Sequence, residues 1–254
     1  MSVNGSSTLR SIAVELPGAT RVFEKLGIDY CCRGNRRLRD VCLGADLPVD
    51  EVLESLEHAD ESAAENPDDL KNWNNESLAD LIAHVVTRHH AFVREQLDRL
   101  EPLLVKVVAI HGDRHHELAL IHHLFESLRY GLLDHLDKEE SVLFPYVVRL
   151  EAGGSGEHTV SHPSFTTVEA PLEKMIREHD EVVGQLREIR EISNHYLLPR
   201  DACLSYRELY EGLAALEEDL HRHVFLENYI LFPRALKLEL TQPSRGTDLE
   251  DLPC

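Results

Sequence analysis

No apolar run in the chain approaches the length that crosses a bilayer, although apolar residues make up 43% of its 254 positions, enough for a packed core. The opening stretch Met1–Ser7 has neither the basic nor the apolar part of a secretory leader, so a cytoplasmic protein is expected. Cysteine is sparse and odd in number: Cys31, Cys32, Cys42, Cys203 and Cys254. Two of these are adjacent, which suits reduced thiols better than a disulfide framework. Basic residues are outnumbered by acidic ones, and a net charge of −20 argues against nucleic acid or an anionic membrane as partner. No segment carries a convincing β period, and the expected fold is all-α. His-Glu-x-x-His and paired Cys-x-x-Cys are also missing, so neither hydrolytic nor structural zinc has its usual signature.

Histidine, by contrast, is plentiful, with 16 in the chain. One arrangement stands out. His135-x-x-x-Glu139 recurs as His223-x-x-x-Glu227, and each copy is followed at the same distance by Leu-Phe-Pro, ending at Pro145 and Pro233. Four residues are one helical turn, so each motif stacks an imidazole and a carboxylate on one face about 5–6 Å apart at Cβ. The repeat extends upstream, because His90 precedes Gln96-Leu97 as His179 precedes Gln185-Leu186. Two such helix pairs with ligands turned inward make a four-helix bundle, a common setting for two-metal sites.

Residues 1–58 read as a small domain of short helices. Thr8 can cap the first, Pro17 lies near the start of the second, and Asn35 can cap a third over Arg36–Cys42. Pro48 opens a fourth. The glycines in Gly27–Gly34 place Cys31 and Cys32 at an exposed bend, and Arg33, Arg36, Arg37 and Arg39 form a basic surrounding that should favour the thiolate. Residues 59–74 read as an acidic linker, 75–240 as the bundle and 241–254 as a tail.

Within the bundle, Asn75 or Ser77 opens a helix that Pro102 breaks or kinks, and the second helix runs from about Glu117 through Leu143 to Leu150. A Gly153–Gly156 loop with Pro163 follows, then helices over Val168–Ser193 and Ala202–Leu238. Adjacent residues of an α-helix point about 100° apart, so only one of His89 and His90 can face inward, and alignment with His179 selects His90. His90 shares a stripe with Val86, Val93 and Leu97; His135 with Leu128, Leu132, Val142 and Leu143; His223 with Leu216, Leu220, Leu226 and Ile230. Ionisable groups within apolar stripes need partners, and metal ligation supplies them. Mixed imidazole and carboxylate donors suit iron, manganese or zinc.

The pattern resembles the hemerythrin-like family, and within it the di-iron proteins that repair iron–sulfur clusters after oxidative or nitrosative damage. The marks are Asp29-Tyr30-Cys31-Cys32-x-Gly34 with Leu38, His135-x-x-x-Glu139, Glu178-His179-Asp180-Glu181, and His223-x-x-x-Glu227-Asn228 with Leu231-Phe232-Pro233. Arg33 stands where the family frequently has glycine. The resemblance implies two oxo- or hydroxo-bridged irons held by His90, His135, Glu139, His179, His223 and Glu227. It also implies a fifth histidine, whose spacing falls on His111. A straight helix would carry His111 about 31 Å from His90, so the chain would have to reverse near Pro102. Cys31 and Cys32 are implied in redox or iron-transfer chemistry, and damaged iron–sulfur proteins as partners. Two other readings stay open: an oxygen or nitric oxide carrier or sensor, and an enzyme reducing nitric oxide. The resemblance does not choose between monomer and homodimer.

Overall fold

The computed structural model describes residues 3–16, 18–59, 71–153 and 167–241. Pro17, most of the expected linker, the loop residues from Gly154 to Pro163, and the tail with Cys254 lie outside the described residues.

Four short helices come first: α1 Leu9–Glu15, α2 Ala19–Lys25, α3 Leu38–Gly44 and α4 Val49–Glu57. Thr8 caps α1 by accepting from the Ser11 amide, whereas Asn35 caps nothing: α3 begins later, after Arg37. The bundle is made of four rods. Its first is α5 Leu78–His84, a π-helical turn Val85–His90, and α6 Ala91–His111. The second is α7 Glu117–Lys138, a π turn Glu139–Leu143, and α8 Phe144–Glu151. A single α-helix, α9 Glu169–Ile192, is the third. The fourth is α10 Leu204–Leu226, a π turn Glu227–Leu231, and α11 Phe232–Thr241. Neither a strand nor a helix long and apolar enough to cross a membrane occurs among the described residues.

Ser77 opens the first rod, its hydroxyl accepting from the Asp80 amide, and Glu151 at the end of the second rod accepts from the amides of Leu78 and Ala79. Glu239 does the same for the third rod, accepting from the Val168 amide. A carboxylate from the end of one helix thus satisfies the orphan donors at the start of its partner, once in each half of the chain. Pro102 does not end the first rod; it lies inside α6, which runs on to His111. The middle segments pack as a square: α6 lies on α7 and α10, and α9 lies on the same two.

The core falls into two apolar clusters. One is internal to the bundle and includes Val93, Leu97, Leu132, Leu136, Leu186 and Leu220. The other joins the opposite end of the bundle, with Leu143, Phe144, Val224 and Phe232, to Phe23, Tyr30, Leu38 and Cys42 of the short helices. Fully buried leucines of this kind each contribute about 1.5–3 kcal/mol. Between Val85 and Val93, Leu136 and Leu143, and Leu220 and Val224 the rods pass from one cluster to the other, and the buried polar residues sit at that crossing.

Candidate metal centre

Six of the expected site residues meet at the crossing. His90, His135, Glu139, His179, His223 and Glu227 are all buried, none more than 2% exposed. They form two overlapping groups, His90 with His223 and His135 with His179, and both glutamates belong to both groups. Glu139 Oε2 lies 3.5 Å from His90 Nε2, while its Oε1 lies 3.4 Å from His135 Nε2. Glu227 divides in the same way, with Oε1 3.0 Å from His223 Nε2 and Oε2 3.1 Å from His179 Nε2.

Three of the four ring orientations are fixed from behind. Nδ1 of His90 meets Glu140 Oε1 at 2.8 Å, Nδ1 of His135 meets Glu178 Oε2 at 2.8 Å, and Nδ1 of His179 meets Asn228 Oδ1 at 2.9 Å. Glu140 is held in turn by Arg94 at 3.1 Å, and Glu178 by Lys138 at 3.3 Å. Anchoring Nδ1 leaves Nε2 as the free donor, the usual outer-shell arrangement around metal-binding histidines. The Nε2 atoms then face one another, His90 to His223 at 3.2 Å and His135 to His179 at 3.0 Å. Phe144 stacks on His90 and Phe232 on His179, which is the task of the repeated Leu-Phe-Pro.

The electrostatics call for cations. All four oxygens of Glu139 and Glu227 are buried without a hydrogen bond. Burying carboxylates costs several kcal/mol per ion, so positive charge between the rings stabilises the arrangement. Burial pulls the His135 imidazolium down, but Glu139, followed by Glu227 and Glu178, outweighs it and raises its pKa to about 9. His90 is lowered by burial and by His223 opposite. Burial pushes the Glu227 carboxyl up, yet His223 and His179 hold it well below its ordinary value. A donor set of four imidazole nitrogens and four carboxylate oxygens fits two transition-metal ions of the iron, manganese or zinc type.

Three π turns carry this geometry, each beginning or ending at a site residue: His90, Glu139 and Glu227. Phe144 donates to the Glu139 carbonyl and Phe232 to the Glu227 carbonyl, five residues back. Such turns concentrate at functional sites. They also alter two sequence expectations. Both members of the His89-His90 pair are buried, since the widened turn keeps neighbours on one side; His89 Nδ1 lies 3.1 Å from Asp219 Oδ1 and its ring lies parallel to His223. Of the two residues expected at the end of the His135 stripe, Leu143 is buried but Val142 is 41% exposed, because the π turn shifts the phase by one residue.

His111 does not join the six. With α6 unbroken, it stands at the far end, 21 residues and about 31 Å along the rod, where its Nε2 lies 3.2 Å from Cys203 Sγ.

The definition of the hemerythrin HHE cation binding domain matches residues 81–235, more than half the chain, and that of ScdA_N, a domain of unknown function (DUF542), matches residues 5–60. The chain belongs to the hemerythrin-like family with an ScdA_N domain. A probable iron-sulfur cluster repair protein of Haemophilus influenzae is 36% identical to it over 90% of this chain and 96% of its own length. The iron-sulfur cluster repair protein YtfE of Pectobacterium atrosepticum is 34% identical, covering 91% and 97%, and ScdA of Staphylococcus haemolyticus is 28% identical, covering 91% and 98%.

In this family member the short-helix region lies against the cation site. Tyr30 is fully buried against Phe23 and Phe225, Arg187 reaches Asp29 at 2.9 Å, and Arg222 grips Glu24 through two bonds of 2.9 and 3.1 Å. Asn228 faces both ways, accepting at Oδ1 from the His179 ring and donating from Nδ2 to the Cys31 carbonyl at 3.3 Å. The cysteine environment differs from the expectation of an exposed bend and a thiolate in a basic patch. Cys31 is completely buried, and hydrogen bonding with Cys32, burial and Asp29 push its thiol well up. Arg33 pairs with Asp29 at 3.6 Å and Arg39 with Asp40 at 3.8 Å. Cys32 is half-buried, its sulfur 4.0 Å from that of Cys31.

Proposed function

We propose that this protein repairs damaged iron–sulfur clusters by supplying iron from a two-iron centre. In this reading one iron lies between His90 and His223 and the other between His135 and His179, with Glu139 and Glu227 bridging them and an oxo or hydroxo group between the metals. Sharing of both glutamates by the two groups supports the stoichiometry. Iron here is cargo, and damaged iron–sulfur proteins are the recipients.

The observation that carries the proposal is the bond from Asn228 to the Cys31 carbonyl, which ties the backbone of the vicinal cysteine pair through one side chain to His179 of the centre. A carrier or sensor of oxygen or nitric oxide gains nothing from that arrangement, whereas iron leaving the bundle gains soft ligands at the exit. Cys32, the more accessible of the two, is the receiving thiol.

Incubating the iron-loaded protein with a cluster protein damaged by nitric oxide tests the proposal. Cluster recovery, followed by the return of its visible absorption, is expected to need iron loading and to fall at least ten-fold in Cys31→Ala/Cys32→Ala. Recovery indifferent to both would sink the proposal, and fast nitrous oxide production by the reduced protein would favour the enzyme reading instead.

A further inference from the structure

At the end of the bundle away from the two-iron centre, the loop joining α6 to α7 meets the loop leading into α10. One ligand atom each from His111, His115 and Asp201 lie within 4.8 Å of one another. His115 Nε2 is 3.0 Å from Asp201 Oδ1, and the other ring nitrogen, Nδ1, is 3.1 Å from Glu117 Oε1. That pairing repeats the outer-shell logic of the main centre, with a carboxylate fixing one nitrogen so that the other is presented inward. His111 is 4% exposed; its Nε2 abuts Cys203 Sγ at 3.2 Å, and its Nδ1 is buried without a hydrogen-bond partner. The Tyr206 ring meets both imidazoles edge-on, at 5.3 and 5.7 Å, and walls the cluster from the core.

We propose that His111, His115 and Asp201, beside Cys203, form a second metal site for one divalent transition ion of the zinc type, independent of the two-iron centre. Metal–ligand bonds of about 2.0–2.3 Å around a tetrahedral ion separate neighbouring donors by roughly 3.3–3.6 Å. The observed 3.0 Å between His115 and Asp201 and 3.2 Å between His111 and Cys203 are within a few tenths of that. Two imidazoles and one carboxylate, with a thiol at hand, are borderline-soft donors that favour zinc or cobalt over calcium or magnesium. Arg114 touches only the second oxygen of Asp201, Oδ2, at 3.3 Å, and so leaves Oδ1 to the ion. Such an ion would tie the loops of the two hairpins together.

The site can be tested on the full chain with its irons in place. Equilibrium dialysis against Co(II), and separately Zn(II), is expected to add one further ion per chain at micromolar affinity, and Co(II) to give the intense visible bands of tetrahedral coordination. His115→Gln and Asp201→Asn, both near the surface, are expected to weaken that binding at least ten-fold while iron content and melting temperature of the unsupplemented protein stay as in the parent. Absence of a stoichiometric extra ion, or binding that survives both substitutions, overturns the proposal.

Discussion

Glu139 and Glu227 are the most demanding residues in the molecule, because each has both carboxylate oxygens buried and without a hydrogen bond. Their replacement should be felt in both the loaded and the metal-free protein. Glu139→Leu or Glu227→Leu is expected to lower iron content from two per chain to one or fewer, measured by elemental analysis. The same variants, stripped of metal, should melt lower than the stripped parent, since Glu139 pairs with His90 and His135 and Glu227 with His179 and His223, and removing one partner of a buried pair costs about 3–5 kcal/mol. In a chain of this size each kcal/mol corresponds to roughly 2–4 °C. Two retained irons in both variants would exclude the bridging role. At this scale the convergence of the six candidate ligands is legible in the sequence, because a His-x-x-x-Glu turn repeated in matching registers seldom arises by chance. What stands behind the ligands is not. Glu178 serves His135 on another helix rather than its neighbour His179, and Asn228 serves His179, 49 residues away. His111 shows the reverse failure: its spacing from His90 imitates a ligand, but an unbroken helix carries it to the other end.

The π turns decide how the rods present their ligands. In the fourth rod the turn Glu227–Leu231 is followed by Pro233, which has no amide hydrogen to offer the Tyr229 carbonyl four residues back. That carbonyl accepts from Arg10 Nη2 instead, at 3.1 Å. The proline therefore weakens the α-helical alternative at one carbonyl and leaves that acceptor for the short-helix region. Pro233→Ala restores the donor, and it is expected to draw the turn back toward α geometry, shifting Glu227 and weakening iron binding by about three- to ten-fold in chelator competition, with far-UV helix content unchanged. Unchanged affinity would mean that packing alone holds the π turn. Helix positions are legible from apolar spacing and from caps such as Thr8 and Ser77, whose hydroxyls act locally. Pro102 misleads because the surrounding contacts of α6 with α7 and α10 outweigh its missing hydrogen bond. The widened turns escape notice for a related reason. A one-residue change of phase leaves the apolar pattern nearly intact, and Val142 is its visible casualty.

Over the whole molecule, the question is whether the cysteine-bearing region is part of the machine or merely attached to it, and Gly34 provides the means to separate the two. Its amide donates to the Tyr229 hydroxyl at 2.8 Å, across the boundary between the short helices and the bundle. A Cβ at this position would lie 2.7 Å from both the Tyr229 ring and the Tyr30 carbonyl oxygen. The second of these is backbone and cannot swing away, so Gly34→Ala must open the contact, at a cost of about 1–3 kcal/mol for overpacking. None of the six proposed ligands belongs to the short-helix region, and iron content should remain at the parental level. The link from Cys31 through Asn228 to His179, however, depends on that region staying seated. Gly34→Ala is therefore expected to retain two irons, to expose residues 1–58 to limited proteolysis at least several-fold faster, and to lose most of its cluster repair. Should repair survive while the region is demonstrably released, iron would be leaving the bundle without the thiols, and the contact at Asn228 would be reduced to a matter of stability.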